Sequence, residues 1–246
     1  KLSTGNVTGP DGTAAKCVVR AGLKNMRIEQ AKTSGSAYQC VHFAAYESTI
    51  DDVWIIGIDS LGGNPLAFSK WRNVRGDYRR VGLEMAYCCN DNDIDIDLTR
   101  VADSATSFQA AVVMSEDGGG DNKLNVRVNG EYGTVSTFGA VGVQKRRTRV
   151  TGSVKGGIGA GVGVAAGGDF SSVTGMQVNA PGTNGITCNA DNCDIGGNIV
   201  TNIPAGSRGI RMQSSSTYCV VHDNVIGDRA SPQTQDTILD DNGETT

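Results

Sequence analysis

The segment Asp91-Asn92-Asp93-Ile94-Asp95-Ile96-Asp97-Leu98 places a carboxylate at every second position. That is the spacing by which a β-strand sends alternate side chains to one face. With Ile94, Ile96 and Leu98 turned inward, Asp93, Asp95 and Asp97 form an outward strip, neighbours about 6.5–7 Å apart. The separation suits an inverting glycosidase, whose acid and base carboxyls stand about 6.5–9.5 Å apart to admit a water. Glu84 is outward between Leu83 and Met85. Across one rung from Asp95 or Asp97 it would complete an acid and a base, one of them with a raised pKa. Glu116-Asp117, before Gly118-Gly119-Gly120, are further acidic candidates. A structural reading stands beside the catalytic one. Leu124-Asn125-Val126-Arg127-Val128 repeats Ile94-Asp95-Ile96-Asp97-Leu98 at a spacing of 30. That register sets Arg127 beside Asp97 and Asn125 beside Asp95, a cross-strand ladder that needs no catalysis. Calcium fits poorly. Asp91, Asp93 and Asp95 imitate a calcium loop, but Ile96 stands where Gly is required and Ala102 where Glu is required.

A second constellation is Trp71-Arg72-Asn73-Val74-Arg75-Gly76-Asp77-Tyr78-Arg79-Arg80. Trp71 and Tyr78 can stack on sugar rings while Arg79 grips carboxylates of an anionic glycan. The same residue types also suit a subunit contact. Trp54, in Asp51-Asp52-Val53-Trp54-Ile55-Ile56, is expected to pack inside. Lys145-Arg146-Arg147-Thr148-Arg149 reads as a solvated basic turn. The glycines of 156–163 precede no helical pattern, so they form a tight rung rather than a nucleotide-binding loop. His42 and His222 lie too far apart along the chain pattern to build a Ser-His-Asp triad.

The elements that must carry these residues are short strands. Gly185-Ile186-Thr187-Cys188, Cys193-Asp194-Ile195 and Asn198-Ile199-Val200 match Gly209-Ile210-Arg211-Met212, Cys219-Val220-Val221 and Asn224-Val225-Ile226. Val41, Leu83, Val112, Val143 and Val164 open looser copies, with one long interval between Val41 and Leu83. Residues 71–80 fall in that interval and are expected to protrude from the stack. Period-2 alternation, polar turns and no helical periodicity predict stacked coils. Each rung buries one side-chain row, with Ile, Val, Leu, Met and Cys inside and Gly or Asn at left-handed corners. An antiparallel sandwich would want hairpin signals between every strand pair, and Asn-Gly pairs stand only at rung ends.

These Gly-Ile and Asn-Val/Ile rungs resemble the right-handed parallel β-helix of the pectate-lyase superfamily, in particular its phage tailspike and tail-fibre members. The expected fold is therefore all-β, a right-handed single-stranded parallel β-helix. Residues 1–230 would form it, and 231–246 a polar C-terminal tail or a connection to a further domain. The resemblance implies a homotrimer that binds, and in some members hydrolyses, a bacterial surface polysaccharide. It also implies a place in the virion tail after synthesis in the bacterial cytosol. The Arg-Ile-Lys of polygalacturonases finds only Gly209-Ile210-Arg211-Met212, and the epimerase Asp-Pro-His-Asp is absent. A non-enzymatic adhesin or shaft module and a secreted polysaccharide lyase, with a Lys or Arg base beside calcium, remain the alternatives.

Composition agrees. The 246 residues carry a formal charge of −4, with 34 Gly and 5% aromatics. The acidic balance argues against a general nucleic-acid partner, and no run approaches the ~20 apolar residues of a membrane span. Neither a cofactor nor a metal is expected. The cysteines are seven, an odd number without a C-x-x-C pair. They are expected to be small buried hydrophobes in a reducing compartment, neither a disulfide framework nor a zinc site.

Overall fold

The computed structural model describes residues 3–8, 14–20, 22–29, 40–85, 89–101, 110–114, 119–130, 139–156, 159–227 and 238–240. The described residues contain strands and turns and no helix. In chain order the strands are β1 (Ser3–Thr8), β2 (Ala14–Val19), β3 (Gly22–Glu29), β4 (Cys40–Tyr46), β5 (Thr49–Ala67), β6 (Lys70–Met85) and β7 (Asp93–Arg100). There follow β8 (Ala110–Met114), β9 (Lys123–Asn129), β10 (Val141–Val143), β11 (Arg149–Lys155), β12 (Val162–Val164), β13 (Ser172–Asn179) and β14 (Ile186–Cys188). The last are β15 (Asp194–Gly196), β16 (Ile199–Thr201), β17 (Ile210–Met212), β18 (Val220–His222), β19 (Val225–Gly227) and β20 (Ile238–Asp240).

Apart from the antiparallel pair β1–β2, every pairing among them is parallel and joins one rung to the next. One ladder stacks β3, the first half of β5, the first half of β6, β7, β9, β11 and β13. It then continues as β15 with β16 and as β18 with β19. The other stacks β4, the second half of β5, the second half of β6, β8, β10, β12, β14, β17 and β20. The chain is an all-β parallel β-solenoid.

Register turns the sequence pattern into columns. Leu23, Ile50, Trp71, Ile94, Leu124, Val150, Val173, Ile195 and Val221 stand one above another in the first ladder. From Ile50 to Ile195 the column is buried, and each aliphatic member adds about 1.5–3 kcal/mol by leaving water. Three residues before each of these stands a left-handed residue: Arg20, Glu47, Phe68, Asp91, Asp121, Arg147, Phe170, Asn192 or Tyr218, with φ between 49 and 59°. A backbone that L side chains adopt at a cost thus recurs at one corner, where the chain must turn sharply into the next strand.

From Glu47 to Phe170 the residue after that corner is buried and polar: Ser48, Ser69, Asn92, Asn122, Thr148 and Ser171. Ser48 N–H donates to Ser69 Oγ at 3.4 Å, and Ser69 N–H to Asn92 Oδ1 at 3.1 Å. Asn92 N–H donates to Asn122 Oδ1 at 3.3 Å, and Thr148 N–H to Ser171 Oγ at 3.0 Å. Cys193 N–H, facing Cys219 Sγ at 3.3 Å, continues the series with sulfur. An internal polar column therefore satisfies the corner amides that no strand partner reaches.

The long interval between Val41 and Leu83 holds a further rung. Val41 pairs with Leu61, and Ser60 and Gly62 pair with Val81 and Glu84. The Gly-Gly-Asn-Pro run after Leu61 lacks alternation, which hid that strand in the sequence. Residues 71–80 consequently do not protrude; they run through β6. The glycines of the Gly-Ile pairs have a steric reason. A Cβ on Gly185 would collide with Val200 Cγ1 and approach Gly209 O to 2.5 Å, and Gly161 and Gly209 repeat the constraint one rung away on either side.

Candidate functional site

Trp71 and Tyr78, expected as sugar platforms, are 1% and 0% exposed. Trp71 occupies the aliphatic column between Ile50 and Ile94, and Tyr78 pairs in register with Ile58 and Arg100. The burial of Tyr78 raises its pKa, against a smaller lowering effect of the Arg100 charge. Its hydroxyl has no hydrogen-bond partner among the described residues. Packing, not glycan stacking, is the role of both rings. Arg79 is half-buried beside Tyr78, and its carbonyl accepts a hydrogen bond from Arg100 Nε at 3.4 Å.

The carboxylates separate likewise. Glu84 is exposed, but in the second ladder, in register with Gly62 and Val113. Asp95 and Asp97 belong to the first ladder, where they face Asn125 and Arg127 in register. Glu84 is therefore not the partner of either. Arg127 Nη2 donates to Asp95 Oδ1 at 2.9 Å, Asn125 Nδ2 donates to the same oxygen at 3.0 Å, and Arg127 Nε lies 3.7 Å from Asp97 Oδ2. The expected Asp-Arg/Asn ladder is present. All three charged side chains keep more than a third of their surface in water, so each link is worth at most about 1 kcal/mol.

Asp97 nevertheless opens on something else. Outward positions of the first ladder form their own columns, one of them Arg27, Trp54, Arg75, Asp97, Arg127 and Ser153. Its upper part borders a groove of about 320 Å³ lined by Asp52, Trp54, Asn73, Arg75, Asp77, Asp97 and Thr99. Trp54, expected inside, is 52% exposed, and the Arg27 guanidinium lies over its ring at 5.4 Å. Asn25, Asp52 and Asn73 each adopt a left-handed φ of 51–53° in successive rungs. This second corner shifts alternation by one residue and turns Trp54 outward.

The groove is a connected polar surface. Asn73 Nδ2 donates to Asp52 Oδ1 at 2.8 Å, and Asn73 Oδ1 accepts from Arg75 Nε at 3.1 Å and Nη2 at 2.8 Å. Asp77 lies in register with Thr99, one two-residue step beyond the Arg75–Asp97 pair. Partial burial raises the Asp77 pKa above the ordinary carboxylate value. Sequence reasoning passed over Asp52 and Asp77 as site residues and read Trp54 as packing. Aligning Ser48-Thr49-Ile50 with Ser69-Lys70-Trp71 and Asn92-Asp93-Ile94 would have placed Trp71 inside and directed attention to Trp54 and Asp77.

The basic segment departs from its expected solvation at two residues, since Lys145 and Thr148 are buried. Arg147 pairs with Asp121 through Nε at 2.7 Å and Nη2 at 2.6 Å, and Arg146 lies over the Phe170 ring at 5.6 Å. His222 is exposed between two carboxylates, Nδ1 at 2.8 Å from Asp223 Oδ2 and Nε2 at 3.0 Å from Asp194 Oδ1. Cys89, Cys188, Cys193 and Cys219 are free thiols, while Cys88, Glu116 and Asp117 lie outside the described residues. Comparison with known family models, with curated proteins and with solved structures yields no match for this chain.

Proposed function

We propose that the chain is a tail-spike-type solenoid that binds a bacterial surface polysaccharide along the groove at Trp54 and hydrolyses it with inversion. The observation that carries this reading is Asp77, a carboxyl with a raised pKa on a strand face that also bears Asp97 and an exposed Trp54. Asp77 and Asp97 are offset by one strand spacing and one two-residue step, about 8 Å on a β-lattice. That offset falls within the separation used by inverting glycosidases.

In this reading Trp54 stacks on a sugar ring and Asn73 and Arg75 bond its hydroxyls. Protonated Asp77 gives its proton to the glycosidic oxygen as the bond to the anomeric carbon breaks. Asp97 takes a proton from the water that attacks the opposite face. With Asp77 protonated, Asp52 and Asp97 still outnumber Arg75 in the groove, which disfavours a strongly anionic glycan and favours a neutral polysaccharide as substrate. Homotrimeric assembly and a place in the virion tail belong to the same reading through the tailspike resemblance.

The test is a screen of bacterial surface polysaccharides for retention and for release of reducing ends. Asp77→Asn should abolish release while keeping retention, and Trp54→Ala should lose retention. A wild-type chain that retains glycan but releases no reducing ends would establish the alternative, a non-enzymatic adhesin. The Asp95–Asn125–Arg127 ladder, which needs no substrate, favours that second reading.

A further inference from the structure

We propose that Cys188, Cys193 and Cys219 form a three-thiolate site for a soft metal ion. Their sulfurs all lie within 4.8 Å of one another. Three metal–sulfur bonds of about 2.3 Å in a trigonal plane separate the sulfurs by about 4 Å. Shifts of less than an ångström therefore close the ring around an ion.

Packing alone does not explain the convergence. Cys193 and Cys219 succeed Ser171 in the internal corner column that Ser, Asn and Thr fill in other rungs. Cys188 belongs to a different column, that of Val143, Val164 and Met212. The two columns already approach each other elsewhere, where Thr148 Oγ1 lies 3.9 Å from Met114 Sδ. Among the described residues, only at the rung of Cys188 and Cys193 do both columns carry a thiol, and Cys219 adds a third from the next rung.

One backbone donor and one open side serve the cluster. Cys193 N–H already points at Cys219 Sγ, an amide-to-sulfur bond that favours the anion. Cys188 and Cys193 are buried while Cys219 is half-exposed, which leaves an entry side. Among the described residues no His, Asp or Glu joins the cluster. Three sulfurs without a fourth side-chain ligand select thiophilic ions such as Cd²⁺ or Cu⁺ over the closed four-ligand site of structural zinc. On binding, the ion replaces the remaining thiol protons, which leave to solvent, and no oxidant is consumed.

The experiment uses the full chain, reduced, metal-free and kept under nitrogen, titrated with Cd²⁺. A thiolate-to-cadmium charge-transfer band should grow and saturate at one ion per chain. Cys188→Ser, Cys193→Ser and Cys219→Ser should each weaken binding by roughly tenfold or more, while Cys89→Ser leaves it unchanged. Should these variants fail to fold, alkylation of the wild-type chain decides, because Cd²⁺ should protect these three cysteines selectively. No band, protection of other cysteines instead, or a Cys193–Cys219 disulfide that persists under reductant would overturn the proposal.

Discussion

Asn92 donates from Nδ2 to Oδ1 of Asn122 at 2.8 Å, although 30 residues separate them. The same Oδ1 accepts the Asn92 backbone N–H, and Asn122 Nδ2 donates in turn to Cys89 O at 3.1 Å. One buried amide thus satisfies three groups from a neighbouring rung. Asn122→Leu should leave the amide and side chain of Asn92 and the Cys89 carbonyl short of partners, at about 1–3 kcal/mol for each group left unsatisfied. Urea unfolding should show a clear fall in midpoint. Asn125→Ala, on the wet face of the β9 strand that follows, should change it by less than about 0.5 kcal/mol.

Glycine at 185 is a packing requirement. Gly185→Ala drives a methyl group into Val200 and the Gly209 carbonyl, and overpacking of this kind costs about 1–3 kcal/mol. Gly227 has nothing within 4 Å of its would-be Cβ, so Gly227→Ala should be neutral. Equal effects in a thermal melt would contradict the column model.

The ladder at Asp95 and the groove at Asp77 should respond differently. Arg127→Ala removes a half-exposed ion pair and should cost at most about 1 kcal/mol, less at high salt. Glycan retention should persist, because Arg127 does not line the groove. Asp77 carries the opposite signature. Its folded pKa is raised, so folding disfavours its ionised form, and both stability and hydrolysis should fall as pH climbs through that value. Asp77→Asn should flatten the stability profile in that range.

His222 titrates in the other sense. Its hydrogen bonds with Asp223 and Asp194 raise its pKa above the ordinary imidazole value of about 6.5. The stabilisation is full below the unfolded value and disappears as pH rises through the folded one. With only two histidines in the chain, an NMR titration can follow His222 directly. A midpoint at or below 6.5 would contradict the two-carboxylate arrangement, and His222→Gln should remove the slope.

Residue types and spacing by themselves determined the solenoid. Period-2 alternation at Ile94-Asp95-Ile96-Asp97-Leu98 and its copy at Leu124–Val128 set both the strand and its register, because parallel stacking puts like over like. The Gly-Ile pairs at 185 and 209 marked a real steric constraint. Position within a strand is local information, and the chain carries it. Facing is not local. Left-handed Asp52 and Asn73 shift the alternation by one residue, so Trp54 emerges and the Asp77 face becomes a groove, while Trp71 joins the aliphatic column. Glu84 was separated from Asp97 because β6 passes from the first ladder to the second along its length, which no spacing rule encodes. The meeting of Cys188 with Cys193 and Cys219 depends on two columns closing around the same interior. Only the tertiary structure decides that, since sulfurs from different columns and rungs become neighbours through the winding of the coil.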